Sequence, residues 1–288
     1  MTIRCGFVGL GTMGKAIAAN LAPKGLETVV YDMVEAPMRE LEQGGAKAAT
    51  GPAEVGSGAD VIGICVPADS HVREVLLGDE GVLANAASGS VICIHSTIHP
   101  DTTIEMAEAA KTFGIELLDV PVAGGPLRVE QGDAYFMVGG EERAFEKARP
   151  YLEASAGKIT YCGALGNASK LKLAINLHTN ISFASCLEAA KLTKAMGLPQ
   201  ELFEEAGETV GTLGTMLLQF LSLSKQPEEV VQSEVMQGHL IQSMGLAEKD
   251  VGLALDMARE NKLFLPVGGL VNQLLPTVYN VDDKKLRS

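Results

Sequence analysis

The chain is poor in what a nucleic-acid or membrane protein needs. Its 288 residues carry 23 Lys and Arg against 36 Asp and Glu, a net charge of −13. Phosphate binding demands a basic face, so this balance argues against nucleic acid and against anionic membrane surfaces. Long apolar runs are missing. The longest, such as Val61–Val66 and Val91–Ile94, fall far short of the ~20 residues of a membrane helix. The N-terminal stretch MTIRCGFVGLG lacks a cleavable signal layout and reads as a first strand. Cysteine is scarce and unpatterned: Cys5, Cys65, Cys93, Cys162 and Cys186 are scattered, with no C-x-x-C. Neither a disulfide framework nor a catalytic thiol is expected, and reduced core thiols fit a cytoplasmic protein. Repeats, low-complexity segments, H-E-x-x-H and G-x-S-x-G are all absent. His95, His99, His178 and His239 have no metal-ligand spacing, so no metal is expected.

What is present is a long chain, 47% hydrophobic. At ~150 residues per domain this length suggests two domains, each able to bury a core without staples. Residues 1–162 alternate short apolar runs with amphipathic stretches. Strands are expected at Arg4–Gly9, Thr28–Tyr31, Val61–Val66, Val91–His95, Glu116–Val120, Ala134–Val138 and Ile159–Tyr161. Helices are expected between them, at Met13–Ala22, Ala36–Gln43, Ser70–Leu77 and Thr102–Phe113. Such alternation means βαβ units and a mostly parallel sheet covered on both faces, an α/β fold. After Gly166 the pattern turns helical. Ala168–Met196 runs without Pro or Gly and stops at Gly197-Leu198-Pro199. At about 1.5 Å per residue this helix spans about 43 Å, long enough to join two domains. Further helices are expected at Glu201–Val210, Thr212–Ser222, Ala247–Asn261 and Val267–Tyr279, with no strand after residue 163. The expected division is an α/β domain over residues 1–163 and an all-α domain over 164–288.

Gly9-Leu10-Gly11-Thr12-Met13-Gly14 follows the first strand directly and opens a helix. A bare G-x-G-x-x-G says little, but here it stands in the strand–turn–helix context that gives it meaning. Gly9 allows the tight turn, Gly11 lets a pyrophosphate approach, and Gly14 lets the helix pack closely on the strand. The free N–H groups at the helix start, around Thr12 and Met13, then hold the pyrophosphate. The second strand ends in Asp32, about 20 residues after the glycines. A carboxylate there accepts hydrogen bonds from ribose hydroxyls and repels a 2′-phosphate, which favours NAD over NADP. The alternative is that Asp32 serves as a turn or cap residue. The nearest cation, Arg39, lies several residues on, and the alternative is that it is a solvated helix residue.

The long helix carries Lys170 and Lys172, two positions apart and therefore on different sides. Lys172 is followed by Asn176 and Asn180 at one-turn spacing, with Thr179 beside them, on a helix otherwise apolar at Leu171, Leu173, Ile175 and Leu177. Lys170 has Leu173 and Ala174 at the matching offsets. Lys172 is therefore the better candidate for a polar cleft. Near a helix N-terminus the macrodipole disfavours a cation, which suits a lysine acting as general acid/base. The alternative is an exposed lysine on a solvated face.

With these residues in view, the chain resembles the β-hydroxyacid dehydrogenase family, which includes 3-hydroxyisobutyrate dehydrogenase, tartronate semialdehyde reductase and the glyoxylate/succinic semialdehyde reductases. The resemblance covers essentially the whole length. It rests on G-F-V-G-L-G-T-M-G at 6–14, D-V-P-V-A-G-G at 119–125, G-A-L-G-N-A-S-K-L-K-L-A-I-N at 163–176 and E-K-D-V-G-L-A-L at 248–255. It implies a Rossmann domain, a helical domain that dimerises or assembles into tetramers, and active sites in the cleft between. It implies Lys172, six residues after Gly166, as catalytic acid/base, with Asn176 beside it. The substrate-carboxylate loop falls on Ala123, Gly124 and Gly125. The nicotinamide side falls on Val66, Pro67 and the Ser96-Thr97 segment, and Lys249 of the Lys249-Asp250 pair closes over the cofactor. Two positions depart from the pattern. Ala123 stands where the family usually has Ser, leaving the backbone donors of Gly124 and Gly125. Arg128 stands where it usually has Gly, either holding a second anionic group of the substrate or lying on the surface.

The activity so implied is hydride transfer between NAD, or NADP, and a small β-hydroxy acid or the corresponding semialdehyde. The partner is a small carboxylate, not nucleic acid or membrane. Two rivals remain: an NADPH-dependent aldehyde reductase of the same family, and a non-catalytic NAD-binding relative that kept the fold.

Overall fold

A computed structural model describes residues 3–281. The chain divides into two compact units, Met1–Lys172 and Leu173–Ser288, so the division falls inside the first turns of the long helix, nine residues beyond the sequence-expected junction at 163/164. The first unit runs β1 (Arg4–Val8), α1 (Thr12–Ala18), β2 (Glu27–Tyr31), α2 (Glu35–Gln43), β3 (Lys47–Ala48), α3 (Pro52–Gly56), β4 (Val61–Ile64) and α4 (Asp69–Leu77). It continues through α5 (Val82–Asn85), β5 (Val91–Ile94), α6 (Pro100–Thr112), β6 (Glu116–Asp119), β7 (Val122–Ala123), α7 (Pro126–Glu130), β8 (Ala134–Val138), α8 (Glu142–Glu153) and β9 (Ala156–Tyr161).

Six strands form one parallel sheet in the order β3-β2-β1-β4-β5-β6. This is the doubly wound order, whose crevice for a dinucleotide opens outside the strand C-termini where β1 and β4 part. The strands are apolar throughout because both faces are covered. Cys5, Phe7, Cys93 and Leu118 point into one buried cluster, and Val8, Ile62, Ile64, Ile92 and Ile94 into the other.

The expected strands at Ala134–Val138 and Ile159–Tyr161 form, but in a second sheet of order β7-β8-β9, where β7 pairs antiparallel with β8. Pro121 explains the break. It has no N–H to donate, so the ladder cannot run from β6 into β7, while its carbonyl accepts Met137 N–H at 3.3 Å. The two-residue strands β3 and β7 are too short for periodicity to mark.

Helix α9 (Asn167–Ala195) spans 29 residues. It leads into α10 (Gln200–Thr209), α11 (Thr215–Leu223), α12 (Glu228–Val231), α13 (Glu234–Glu260) and α14 (Pro266–Val278). Among the described residues every element after β9 is a helix. Helix α13 starts 13 residues before the Ala247 expected from the sequence. Gly238 and Gly245 obscured its first turns, and the start is set by Ser233, whose Oγ accepts Met236 N–H at 3.3 Å. The second unit packs around Leu240, Met244, Val271 and Leu275, with a smaller cluster at Cys186, Leu213 and Leu221. Phe183 and Phe220 stack there with ring centroids 4.2 Å apart.

Candidate active site

The glycine turn makes two of its three glycines a steric requirement. Gly9 has φ +92°, and a Cβ there would strike the Cys65 carbonyl and come within 2.9 Å of Val66 Cγ1. A Cβ on Gly14 would drive into the Gly9 carbonyl oxygen, so this residue sets how closely α1 packs on β1. Gly11 is different: a Cβ there would meet nothing within 4 Å. The space above the turn is open, and Gly11 keeps it so. As N-cap of α1 it offers no side-chain acceptor, which leaves the first-turn N–H groups of Thr12 and Met13 for a ligand. An open approach above a bare helix start fits the diphosphate of a dinucleotide.

Asp32, one residue beyond β2, is half-buried. Its Oδ2 accepts Leu10 N–H at 2.6 Å and its Oδ1 accepts Val34 N–H at 2.8 Å. The carboxylate therefore ties the glycine turn to the end of β2. Each oxygen keeps a second acceptor direction. Both the turn role and a ribose role are thus open to the same side chain. Arg39 is engaged by Glu35 through Nε at 3.0 Å and a terminal nitrogen at 2.6 Å, both side chains exposed.

The next crossings supply the other rim. Val66 N–H donates to the buried Ser96 Oγ at 2.8 Å, which binds the β4 exit to the β5 exit. Val66 and Pro67 thus lie beside Thr97 along the same end of the sheet. Beyond β6, Gly124 (φ +122°) and Gly125 (φ +76°) both adopt backbone that favours glycine, and a Cβ on Gly125 would meet nothing within 4 Å. Ala123 precedes them, paired with Tyr135 across the small sheet. Arg128, in α7, is committed to Asp133 through Nε at 2.8 Å and a terminal nitrogen at 2.6 Å, with both side chains at least half exposed.

On α9, Lys170 is exposed while Lys172 is partly buried. In the helical unit, Asn176 Nδ2 donates to Asp250 Oδ2 at 2.5 Å. Lys249 Nζ lies 2.8 Å from Asp250 Oδ1. Asn180 Nδ2 donates to the Asn176 carbonyl at 2.9 Å, and Tyr279 Oη donates to Asn180 Oδ1 at 3.0 Å. Burial, with the Asp250 charge nearby, pushes the Tyr279 phenol up to about 12, so it stays a donor. Asn176 and Lys249, 73 positions apart in sequence, thus share one carboxylate.

Sequence reasoning named Ser96 and Asp250 only as neighbours of Thr97 and Lys249. In the structure Asp250 orients Asn176, and Ser96 joins two strand exits. The residue it missed is Asp119. Asp119 is fully buried and accepts Gly166 N–H at 3.0 Å and Ser169 N–H at 2.8 Å. The signal for Asp119 was a lone acidic residue closing an apolar strand.

The remaining reactive residues belong to the core. His95 is buried, with Nδ1 2.9 Å from the Val120 carbonyl and Nε2 2.9 Å from Tyr151 Oη. Burial pulls its pKa down to about 4, so the ring is neutral, donating through Nδ1 and accepting from the phenol. None of the five cysteines is joined in a disulfide. Burial pushes the thiols of Cys5 (to about 12), Cys93, Cys162 and Cys186 up, the reverse of an activated nucleophile. Among the described residues no helix is long and apolar enough to cross a membrane.

Residues 4–163 match the family model described as the NAD binding domain of 6-phosphogluconate dehydrogenase. The chain is 36% identical over 271 residues to the probable mitochondrial 3-hydroxyisobutyrate dehydrogenase of Dictyostelium discoideum, covering 93% of this chain and 83% of that one. It is 32% identical to the 2-(hydroxymethyl)glutarate dehydrogenase of Eubacterium barkeri, covering 95% and 88%. Among solved structures, the 3-hydroxyisobutyrate dehydrogenase of Salmonella typhimurium superposes with a TM-score of 0.83 at 26% identity, covering 96% and 94%.

Proposed function

The chain belongs to the β-hydroxyacid dehydrogenase family of oxidoreductases, and from that premise we propose that it oxidises a small β-hydroxy acid, or reduces the corresponding semialdehyde or keto acid, with NAD(H) preferred to NADP(H). The observation that carries the reading is the glycine turn, open above Gly11 and tied at Leu10 to the Asp32 carboxylate. A negative group at that point welcomes ribose hydroxyls and repels a 2′-phosphate. Arg39, the cation nearest in sequence, is already held by Glu35.

When bound, the nicotinamide supplies the hydride acceptor or donor. The protein's part is to position and to move a proton. The amides of Gly124 and Gly125, in a loop whose φ angles only glycine adopts readily, hold the substrate carboxylate together with Asn176. Lys172 takes the hydroxyl proton as the carbinol carbon loses hydride, and returns it to the carbonyl oxygen in reduction. Lys249 covers the cofactor, and Asp250 orders both Lys249 and Asn176. Arg128 selects substrates bearing a second anionic or polar group, which requires that it leave Asp133. Residues 164–288 form the substrate and assembly domain. Large apolar side chains exposed on the helical unit, including Leu192, Met196, Leu202 and Phe264, support a homodimer, or a tetramer of such dimers. Five cysteines without a disulfide among them support a reducing, cytoplasmic setting.

The test is a panel of hydroxy acids and aldehydes with NAD(H) and NADP(H), following nicotinamide absorbance. Turnover of a β-hydroxy acid with NAD, at a cofactor preference that narrows in Asp32→Asn, is expected. Equal or better efficiency with NADP(H) overturns the cofactor assignment. Turnover of aldehydes alone makes the protein an aldehyde reductase, and cofactor binding without any turnover makes it a non-catalytic relative.

A further inference from the structure

Helix α9 cannot cap itself. The residue before it, Gly166, has φ +86° and no side chain. Four first-turn N–H groups of any helix need partners. In the usual capping box two side chains share the work, one bonding the N3 amide and the other the N-cap amide. Here one carboxylate does both. Asp119 Oδ1 accepts from Gly166, the N-cap, and Oδ2 from Ser169, at N3. The residue comes from the end of β6, 47 positions upstream of the cap.

Asp119 is itself held. Its N–H donates to the Gly139 carbonyl at 3.1 Å and its carbonyl accepts Gly139 N–H at 2.9 Å. A Cβ on Gly139 would collide with Asp119 Oδ1 and sit 2.9 Å from the Ala164 carbonyl, so the carboxylate reaches the helix only because position 139 is bare. The turn into α9 is fixed on its other side by Gly140 N–H to the Gly163 carbonyl at 2.8 Å. Ser169 and Lys172 are three residues apart, one turn along the same helix face. The strand end that fixes the Ser169 amide therefore fixes where the lysine side chain departs.

We propose that Asp119 is a positioning residue for catalysis: it clamps the first turn of α9 to the parallel sheet and thereby sets the placement of Lys172. The proposal rests on Lys172 as acid/base. A misplacement of ~1 Å at a reacting group costs up to ~100-fold in rate. Asp119→Asn leaves an acceptor for only one of the two amides.

The experiment is a double-mutant cycle of Asp119→Asn and Lys172→Ala, with the hydroxy acid turned over fastest in the panel. Asp119→Asn alone should lower kcat by ~10- to 100-fold, with KM and cofactor affinity within a few-fold. In the Lys172→Ala background it should cost almost nothing further, because its effect passes through the lysine. Unchanged kcat, a KM or cofactor affinity that falls in step with kcat, or an equal loss in both backgrounds overturns the proposal. Full activity of Lys172→Ala alone overturns the acid/base reading instead. Should Asp119→Asn fail to fold, Gly139→Ala takes its place in the cycle. It keeps the charge, crowds the carboxylate off the amides, and is judged by the same outcomes.

Discussion

The glycine turn after β1 and the polar network around Asn176 are held together by opposite means. The turn uses backbone. Gly9 and Gly14 are bare because the Cys65 and Gly9 carbonyls occupy the space a side chain would take, and the ligand donors are peptide N–H groups. The helical network uses side chains: Lys249, Asp250, Asn176, Asn180 and Tyr279 in a chain of contacts from 2.5 to 3.0 Å. A backbone site tolerates almost any chemistry nearby but no added atom. A side-chain site tolerates added atoms better than lost charge. Substitutions should therefore fail sterically in the first region and chemically along α9.

The largest effect should be chemical. Lys172→Ala is expected to lower kcat by about 10²–10⁴-fold, the usual loss for a positioned acid/base, with NAD affinity nearly kept. Lys170→Ala, exposed two residues away, should stay within a few-fold. Steady-state kinetics with the pH–rate profile of each variant decides it. Equal costs would mean that the two lysines are not on distinct faces in the way the helix period requires.

Next comes a property of the sheet unit that the helical network lacks. His95 in the fold has its pKa held near 4, below its ordinary 6.5, by burial. The unfolded chain takes up the proton as pH falls through about 6.5, while the folded one resists until about 4. The contribution is therefore full above 6.5 and lost progressively below it, by up to about 3 kcal/mol. Thermal melts at pH 7 and pH 5 should show the drop. Hydrogen exchange should place it in β1, β5 and α8, whose Phe7 and Tyr151 pack on the ring. A flat profile over that range would remove the case for a neutral buried imidazole.

Gly14→Ala should cost about 1–3 kcal/mol of stability through overpacking and weaken NAD binding with little change in kcat at saturating cofactor. Calorimetric titration with NAD checks the first half of that split, and kinetics the second. A variant that binds NAD normally would mean the turn can yield. The smallest effect belongs to Arg128→Gly. An exposed ion pair with Asp133 is worth at most about 1 kcal/mol, so folding should barely move. A raised KM for the best substrate would place Arg128 in substrate selection, and unchanged KM would leave it a surface residue.

The same contrast decides what could be read from the sequence. The glycine turn was legible because a backbone site writes its requirement into residue type at fixed spacing. Five of the six parallel strands and the 29-residue helix were legible because long apolar or uninterrupted runs override local noise. Arg128 drew attention by its charge, yet its partner Asp133 lies only five residues on. The Asp119 cap and the Asn176–Asp250 bond join residues 47 and 74 positions apart. No local pattern marks either, since each side chain alone looks like an ordinary polar residue. The second sheet was hidden by a single Pro121, whose missing N–H matters only once the register around it is known.

The strand order has a consequence for synthesis. Of these six strands the first to be synthesised, β1, is an inner one. Its β2 edge can be satisfied once Tyr31 has emerged, but its other edge waits for β4, where Cys5 pairs with Val61 and Val8 with Ile64. At about 5–20 residues per second, the nascent chain carries an apolar strand with one open edge for several seconds. During that interval β1 presents an unpaired apolar edge, the kind of segment that chaperones shield from aggregation.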